Sequence, residues 1–423
     1  MSDSSAGKIA AGVIASLVIL GIISIVSCFC AKKKRKAIRT ELQAAVAPPA
    51  SAVAYNVLEV DAPTMERFLQ DLAKEKPVIF TAQQLCSFTS NYSTKLGSGG
   101  FGVVYKGQFP NGVKIAVKVL RRSLDTTAAK QQFMAEVGTI GRTYHINLVR
   151  LYGFSYDHLM SALVYEYMEN GSLDHYLFSD TQAIEWDKLH EIAIGTAKGI
   201  AYLHEECQQR IIHYDIKPGN VLIDANFSPK VADFGLAKLC NKDNTHESIT
   251  GYRGTPGYSA PEFMLQNFPI TNKCDVYSYG MMLFEIVGMR KNTKVGPTDS
   301  LDWFPKHVWD EYEKGELAAM TLSCKIEDKD RVKAERMSMV ALWCVQDTPE
   351  ARPPMSAVVN MLEGGVEIMP PPKPFHHLFP VEIDVLKPPS NSSDYSPSQG
   401  TNSYWYKEST SIMAKYEIQI ASC

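Results

Sequence analysis

Neither charge is in excess in this 423-residue chain, where 43 Lys and Arg stand against 46 Asp and Glu for a formal net charge of -3. Nothing in that balance supports a basic face for nucleic acid, and no nucleic-acid partner is expected. Metal-ligand spacing is also missing. Of the nine cysteines, Cys86, Cys207, Cys240, Cys274, Cys324 and Cys344 are scattered singly, the pattern of free thiols in a reducing compartment. No internal repeat is visible.

Charge is absent altogether from Ile9 to Ala31, an apolar run long enough to cross ~30 Å of hydrocarbon as a helix. Lys32, Lys33, Lys34, Arg35 and Lys36 follow it directly. A cleaved signal peptide carries its basic residues before a shorter apolar run of roughly 7 to 15 residues, so a transmembrane helix over 9–31 is the expectation. The positive-inside rule then places everything after it in the cytosol, with residues 1–8 as a short extracellular N-terminus and almost no ectodomain. The basic cluster reads as a stop-transfer anchor ahead of a specific anionic-lipid site. Cys28 and Cys30 fit either S-acylation or a role as small apolar residues of the helix.

Residues 32–93 read as a cytosolic juxtamembrane segment. Thr40 to Pro63 is Ala-, Pro- and Val-rich with little periodicity, as in a flexible linker. Met65, Phe68, Leu69 and Leu72 then recur at helical spacing until Pro77. Phe80 to Tyr92 is expected to pack as an N-terminal extension of a folded domain spanning 94–365. Alternating apolar stretches at Val103–Lys106, Lys114–Leu120, Leu148–Phe154 and Leu163–Tyr167, with Lys95 opening an earlier strand, predict an antiparallel sheet interrupted by one helix near Lys130–Gly141. After Gly171 the period becomes helical, at His190–Glu206, Ser278–Val287, Met337–Cys344 and Met355–Leu362. An α+β, bilobal architecture follows, a small sheet-rich lobe before a larger helical one with a cleft between them. Residues 366–423, rich in Pro, Ser, Asn and Tyr, are expected to form a disordered C-terminal tail.

The chemistry lies in short motifs whose order matters. In LGSGGFGVVYKG, Leu96, Gly97, Ser98, Gly99, Gly100, Phe101 and Gly102 form a hairpin whose glycines let backbone N–H groups approach phosphates closely, with Val104 placed to cover a nucleotide base. In IAVK, alternation puts Ala116 and Lys118 on one face of a strand, so a small residue lies over the base while the ammonium reaches the α- and β-phosphates. Glu136 is the candidate partner of Lys118. Tyr165 bounds the back of the base pocket, and Glu166 to Met168 form a hinge whose backbone groups read adenine. HYDIKPGNVLI supplies Asp215 to orient a hydroxyl and accept its proton, Lys217 to neutralise the moving phosphoryl group, Asn220 to hold a metal ion and Leu222 as a further nucleotide-binding candidate. Asp233 of DFG supplies the second oxygen ligand, suited to Mg²⁺, with Mn²⁺ able to substitute. In the loop between Asp233 and Glu262, Thr245, Ser248, Thr250, Tyr252 and Thr255 are the candidate phosphate acceptors, most of them read as plain loop hydroxyls. Thr255 is expected near Asp215 and Lys217, Glu262 is expected to pair with Arg352 as a buried ion pair, and Asp275 to hold the catalytic-loop backbone. In this order and spacing the motifs are those of an ATP-dependent protein kinase.

They resemble the eukaryotic protein kinase superfamily, and from about Phe80 to Gly365 the chain resembles plant receptor-like kinases. Lys217 in DIKPGN and Thr255 in GTPGY resemble serine/threonine kinases; tyrosine specificity would need a different sequence after Asp215. RIIHYDIKPGNVLI together with WFPKHVW at Trp303–Trp309 is similar to the rust-resistance-kinase and thaumatin-kinase subgroup, which acts at the plant plasma membrane, often in defence. The resemblance implies ATP and Mg²⁺ as cofactors, a protein substrate, a membrane-anchored enzyme and a ligand-binding co-receptor as partner. Two departures stand out. Tyr214 precedes Asp215 where most kinases have arginine, resembling the non-RD class, and leaves a phosphorylated activation loop without a guanidinium partner there. The ectodomain usual in such receptors is not seen, so the chain either borrows a ligand-binding partner or is a short or incomplete product. The alternative reading is a pseudokinase scaffold that binds partners without turnover; the feature that discriminates is retention of Lys118, Asp215, Asn220 and Asp233, and all are present.

Overall fold

The computed structural model of the chain describes residues 77–99, 102–120, 126–156, 160–179, 184–241, 254–264, 269–295, 301–376 and 378. The apolar run 9–31, the basic cluster and the periodic stretch Met65–Leu72 lie outside these. Among the described residues no helix is long and apolar enough to cross a membrane.

The alternating stretches form the small lobe's sheet. Strands β1 (Val78–Ile79), β2 (Lys95–Gly99), β3 (Gly102–Gln108), β4 (Lys114–Leu120), β5 (Leu151–Tyr156) and β6 (Ser161–Glu166) are ordered β1-β5-β6-β4-β3-β2. In β4, Ile115 and Val117 are buried with Ala162 and Val164 of β6 under Leu85 of helix α1 (Ala82–Phe88). Ala116 and Lys118 line the opposite, cleft-facing side, the division that a period of two dictates. Helix α1 opens on a capping box. The Thr81 hydroxyl accepts the Gln84 N–H at 3.2 Å and the Gln84 side chain accepts the Thr81 N–H at 2.9 Å, satisfying two helix-end donors.

Strands β2 to β6 pair antiparallel as expected, but β1 adds to the edge in parallel, through Val78–Gly153 and Ile79–Phe154. Two residues are too few to show a period. The pairing depends on Gly153, because a Cβ there would lie 2.0 Å from the Val78 carbonyl oxygen. Residues 77–93 therefore fold with the small lobe, and the expected boundary at 94 falls inside it. Helix α2 (Thr126–Ile140) packs Phe133, Val137 and Ile140 into the core, with Phe133 edge-on to Phe154 at 5.6 Å.

The large lobe is helical. It comprises α3 (Leu173–Phe178), α4 (Trp186–Ala201), α5 (Lys273–Gly288), α6 (Phe304–Lys314), α7 (Leu317–Ser323), α8 (Asp328–Cys344) and α9 (Met355–Glu363). Every residue of α5 from Cys274 to Val287 is buried, which makes it the lobe's central helix. Two short antiparallel pairs carry the loops of interest. β7 (Arg210–Ile212) pairs with β10 (Lys238–Cys240), and β8 (Val221–Ile223) with β9 (Pro229–Val231). The segment 213–220 is thus slung between β7 and β8, and 232–237 between β9 and β10. The six cysteines named above are free thiols.

Beyond α9 the structure corrects the expectation of a tail disordered from 366. The proline-rich strap 366–376 runs over α8. Trp343 Nε1 donates to the Met369 carbonyl at 2.8 Å, Gln346 Nε2 to that of Pro372 at 2.9 Å, and Arg336 to that of Val366 at 2.9 Å. Phe375 is buried against Trp303 with ring centroids 4.6 Å apart. A low-hydropathy composition hid one aromatic anchor and three carbonyl acceptors. Residues 379–423 lie outside the description.

The expected ion pair is present and fully buried. Arg352 meets Glu262 with both guanidinium nitrogens at 2.8 Å, and its Nε donates to the Gln346 carbonyl at 2.8 Å. Removing one partner leaves an uncompensated buried charge. Arg352→Ala is expected to lower stability by about 3–5 kcal/mol, read as a fall in the denaturant midpoint; an unchanged midpoint would refute this assignment.

Candidate active site

Between the lobes lies a cleft of about 500 Å³. Leu96, Val104, Ala116, Tyr165, Met168 and Leu222, all expected, line its apolar part together with Val149 and Ala232, which were not. Those two come from the segments around β5 and β9, where Val149 N–H donates to the Val231 carbonyl at 3.0 Å. No local pattern marks a pairing over that separation. Ser172, His175 and Gly219 at the rim were likewise missed.

The side chain of Glu166 turns away from the pocket. Its carboxylate accepts the Arg150 N–H at 2.7 Å and pairs with Lys230 at 3.1 Å. Its own N–H donates to the Arg150 carbonyl at 3.1 Å, so the Glu166 carbonyl and the backbone of 167–168 are the groups left to meet a base edge. In the glycine hairpin, Gly99 faces Gly102 and Ser98 faces Val103 across β2 and β3; Gly100 and Phe101 lie outside the described residues. The glycines differ in what they permit. A Cβ at Gly97 or Gly99 would meet nothing within 4 Å, whereas one at Gly102 would sit 2.3 Å from the Val119 carbonyl oxygen. Gly102 is thus required by the close approach of β3 to β4, and the open space lies at the other two.

Three side chains from three elements converge at the inner end. Lys118 Nζ of β4 lies 3.0 and 3.1 Å from the Glu136 carboxylate of α2 and 2.7 Å from Asp233 Oδ1. The Tyr165 hydroxyl donates to Glu136 from behind. Burial alone would lower the Lys118 ammonium, but the charges of Glu136 and Asp233 outweigh it and hold the group above its ordinary value. Burial likewise opposes the Asp233 carboxylate, and Lys118 overcomes that to hold it below the usual range. Glu136 is raised by burial, then by Asp233, against the pull of Lys118 and Tyr165. The cluster sets one ammonium between two carboxylates, with Asp233 facing the cleft.

Asp233 sits at φ 65° and Tyr214 at φ 66°, the left-handed region that non-glycine residues enter at a cost of roughly 1–3 kcal/mol. What holds the catalytic loop there is Asp275, fully buried on α5. Its carboxylate accepts the His213 and Tyr214 N–H groups, each at 2.8 Å, and lies 2.9 Å from His204 Nε2. His213 then accepts the Asp215 N–H on Nδ1 at 3.2 Å, which leaves Nε2–H to donate to the Ala232 carbonyl at 3.0 Å. The two loops are tied together through one imidazole.

At the mouth of the cleft, Asp215 Oδ2 accepts from Lys217 Nζ and Asn220 Nδ2, both at 2.9 Å, and Oδ1 accepts from the Thr255 hydroxyl at 2.5 Å. Lys217 also donates to Thr255 at 2.6 Å. The expected group Asp215, Lys217, Asn220 and Thr255 is therefore assembled. Thr245, Ser248, Thr250 and Tyr252 lie outside the described residues. The segment bearing Thr255 is pinned from below by Tyr258, whose hydroxyl donates to Glu285 Oε2 at 2.7 Å while the Asn292 N–H donates to Oε1 at 3.1 Å.

The two-lobed fold, the ammonium held by two carboxylates and the loop aspartate beside a lysine together define a phosphotransferase site. The chain matches the family described as protein tyrosine and serine/threonine kinase over residues 91–362, and it belongs to that family. It is 45% identical over 320 residues to the rust resistance kinase Lr10 of Triticum aestivum, covering 74% of this chain and 49% of that protein. Its identity is 42% over 315 residues to the PR5-like receptor kinase of Arabidopsis thaliana, covering 73% and 46%. A G-type lectin S-receptor-like serine/threonine-protein kinase of the same plant is 46% identical over 307 residues, covering 72% and 37%. The chain thus spans half or less of the length of these curated relatives.

Burial raises the Glu285 carboxyl from 4.5 to about 7 even though Tyr258 and the Asn292 N–H favour its charged form. Between these values the folded chain keeps a proton that the unfolded chain has lost. Stability is accordingly expected to fall by up to ~3 kcal/mol as pH rises from 4.5 to about 7, then level off. Glu285→Gln should flatten that slope in denaturation profiles across the window; an unchanged slope would show that Glu285 does not titrate there.

Proposed function

We propose that the chain is a membrane-anchored serine/threonine protein kinase that transfers the γ-phosphoryl group of ATP to Ser and Thr hydroxyls of itself and of cytosolic proteins. The observation that carries this reading is the assembly of Asp215, Lys217, Asn220 and Thr255 at one end of a cleft whose other end holds Lys118, Glu136 and Asp233. Adenine lies between Ala116 and Leu222 with the backbone of 166–168 on its edge and Tyr165 behind it. Lys118, steadied by Glu136, binds the α- and β-phosphates, and the N–H groups of the glycine hairpin cover them. Asp215 orients the attacking hydroxyl and takes its proton as the new O–P bond forms and the bond to the β-phosphate oxygen breaks. Lys217 neutralises the charge on the phosphoryl group in flight.

Asn220 spends its Nδ2 on Asp215, and Asp233 spends Oδ1 on Lys118, so one amide oxygen and one carboxylate oxygen are left facing the cleft. That donor set fits a hard cation that draws its other ligands from phosphates and water. Magnesium, or manganese in its place, would supply neutralisation of the phosphate charge there.

The uncharged run 9–31 and the basic cluster behind it support a single membrane crossing with the kinase domain in the cytosol. Residues 1–8 are then extracellular, 32–76 link the membrane to the small lobe, and a ligand-binding co-receptor in the same membrane is the natural partner. The names of the relatives support receptor-type signalling, and that of the wheat protein a role in defence.

The test uses the full chain in membranes, wild type beside Asp233→Asn. The expected results are resistance to alkaline extraction, and Mg²⁺-dependent phosphoserine and phosphothreonine from labelled ATP that fall by at least about 10²-fold in the variant. Equal silence from both folded proteins would sink the enzyme reading. Tyr214, buried against Phe263 where an arginine would meet a loop phosphate, supports activation without loop phosphorylation. Replacing Thr245, Ser248, Thr250 and Tyr252 together by Ala should leave the rate within roughly threefold; abolished activity would refute the proposed independence.

A further inference from the structure

A second cavity, larger than the nucleotide cleft, lies apart from it. It is a pocket of about 940 Å³ on the small lobe, between β1, α1, the β3–β4 turn and the α2–β5 connection. Aromatic side chains dominate its wall: Phe80 stacks on Phe109 at 5.7 Å, Phe88 meets both rings edge-on, and Tyr144 and Tyr152 close the far side. Val78 and Tyr144 are exposed at its rim. The aromatic wall offers an apolar seat with polar and cationic residues at its edge, among them Asn111 and Arg150.

Chain connectivity names the occupant. Pro77 is itself buried and lines the pocket, so the polypeptide enters the small lobe at the pocket wall. Only Ala73 to Lys76 separate it from Leu72, the last member of the periodic set Met65, Phe68, Leu69 and Leu72. That set has i, i+3, i+4, i+7 spacing, one face of a helix. A connector of that length reaches at most ~17 Å, so the apolar face is held within a short radius of the pocket. Charge agrees. Arg150, a wall residue, places its guanidinium over the rings of Tyr152 and Tyr144 at 5.3 and 5.9 Å and makes no ion pair among the described residues, while Glu66 and Asp71 flank the apolar face of the segment.

We infer that the juxtamembrane segment Met65–Leu72 docks as an amphipathic helix into the small-lobe pocket, with Phe68 and Leu69 against Phe80, Phe109 and Tyr152 and an acidic flank toward Arg150. The docking has a structural reach. Ile140 and Gly141, at the end of the helix that carries Glu136, form part of the same wall, so the occupied pocket buttresses the element that orients Lys118.

The test is photo-crosslinking in the full chain in lipid nanodiscs, with the photoreactive analogue p-benzoylphenylalanine in place of Phe68. The expected product is an intramolecular crosslink to residues 78–80, 109 or 140–152, reduced roughly tenfold by Leu69→Asp with Leu72→Asp, which replaces apolar contacts of the segment with charge. Hydrogen exchange on the unsubstituted chain should show 65–72 protected roughly tenfold or more over coil rates. A crosslink joining two chains would assign the segment to a second copy, a lipid adduct would assign it to the bilayer, and coil-like exchange would leave it undocked; each overturns the inference. None of these readouts involves phosphoryl transfer, so the inference and the kinase reading stand or fall separately.

Discussion

One buried carboxylate organises the catalytic half of the molecule. Asp275 lies in the first turn of a helix whose residues Cys274 to Val287 are all buried, where an isolated charge would cost several kcal/mol or more. It is tolerated because two backbone N–H groups and an imidazole converge on it. Those same bonds hold Tyr214 in a left-handed conformation and thereby aim the next residue, Asp215, out into the cleft. The same hydrogen bonds offset both the strain in the loop and the cost of the buried charge. Neither feature is stable without its partner, and together they fix the loop to the buried central helix of the large lobe.

From that anchor the rest of the site follows by short links. His213 reaches from the catalytic loop to the Ala232 carbonyl, one residue before Asp233. Asp233 bonds Lys118, and Lys118 bonds Glu136 on α2. An unbroken path of hydrogen bonds thus runs from the central helix of the large lobe to the sheet and helix of the small one. The lobes are joined both by this polar path and by apolar packing, since Phe133, Val137 and Leu163 of the small lobe belong to the same buried cluster as Ile216 and Phe234 of the large one. The polar path is sensitive to geometry, since the buried charges of Lys118 and Glu136 compensate one another.

The residues that were legible in the sequence are those whose chemistry demands a fixed type at a fixed spacing. Lys118, Glu136, Asp215, Lys217, Asn220, Asp233, Thr255, Asp275 and the pair Glu262 and Arg352 all stand in the groupings that their motifs suggested. Helices and strands with several periods were legible too. What escaped were features set by contacts between distant segments. The two-residue β1 has no period to read and depends on a glycine some seventy positions on. Val149 and Ala232 enter the cleft only because β9 pairs beside the segment leading into β5. The strap after α9 has the composition of a solvated tail, yet Phe375 and the carbonyls that meet Trp343 and Gln346 fasten it down. Gly102 was legible as a glycine, but its reason was the approach of a neighbouring strand.

Tyr165 bears on more than the shape of the base pocket. Its hydroxyl is committed to the carboxylate that steadies Lys118, so the ring cannot swing aside without disturbing the charge set behind it. A compound competing for the cleft would gain no depth beyond the adenine plane unless it broke that bond. The site accordingly acts as a filter for ligand shape, admitting flat scaffolds that end at the hinge and rejecting those with a bulky rearward arm.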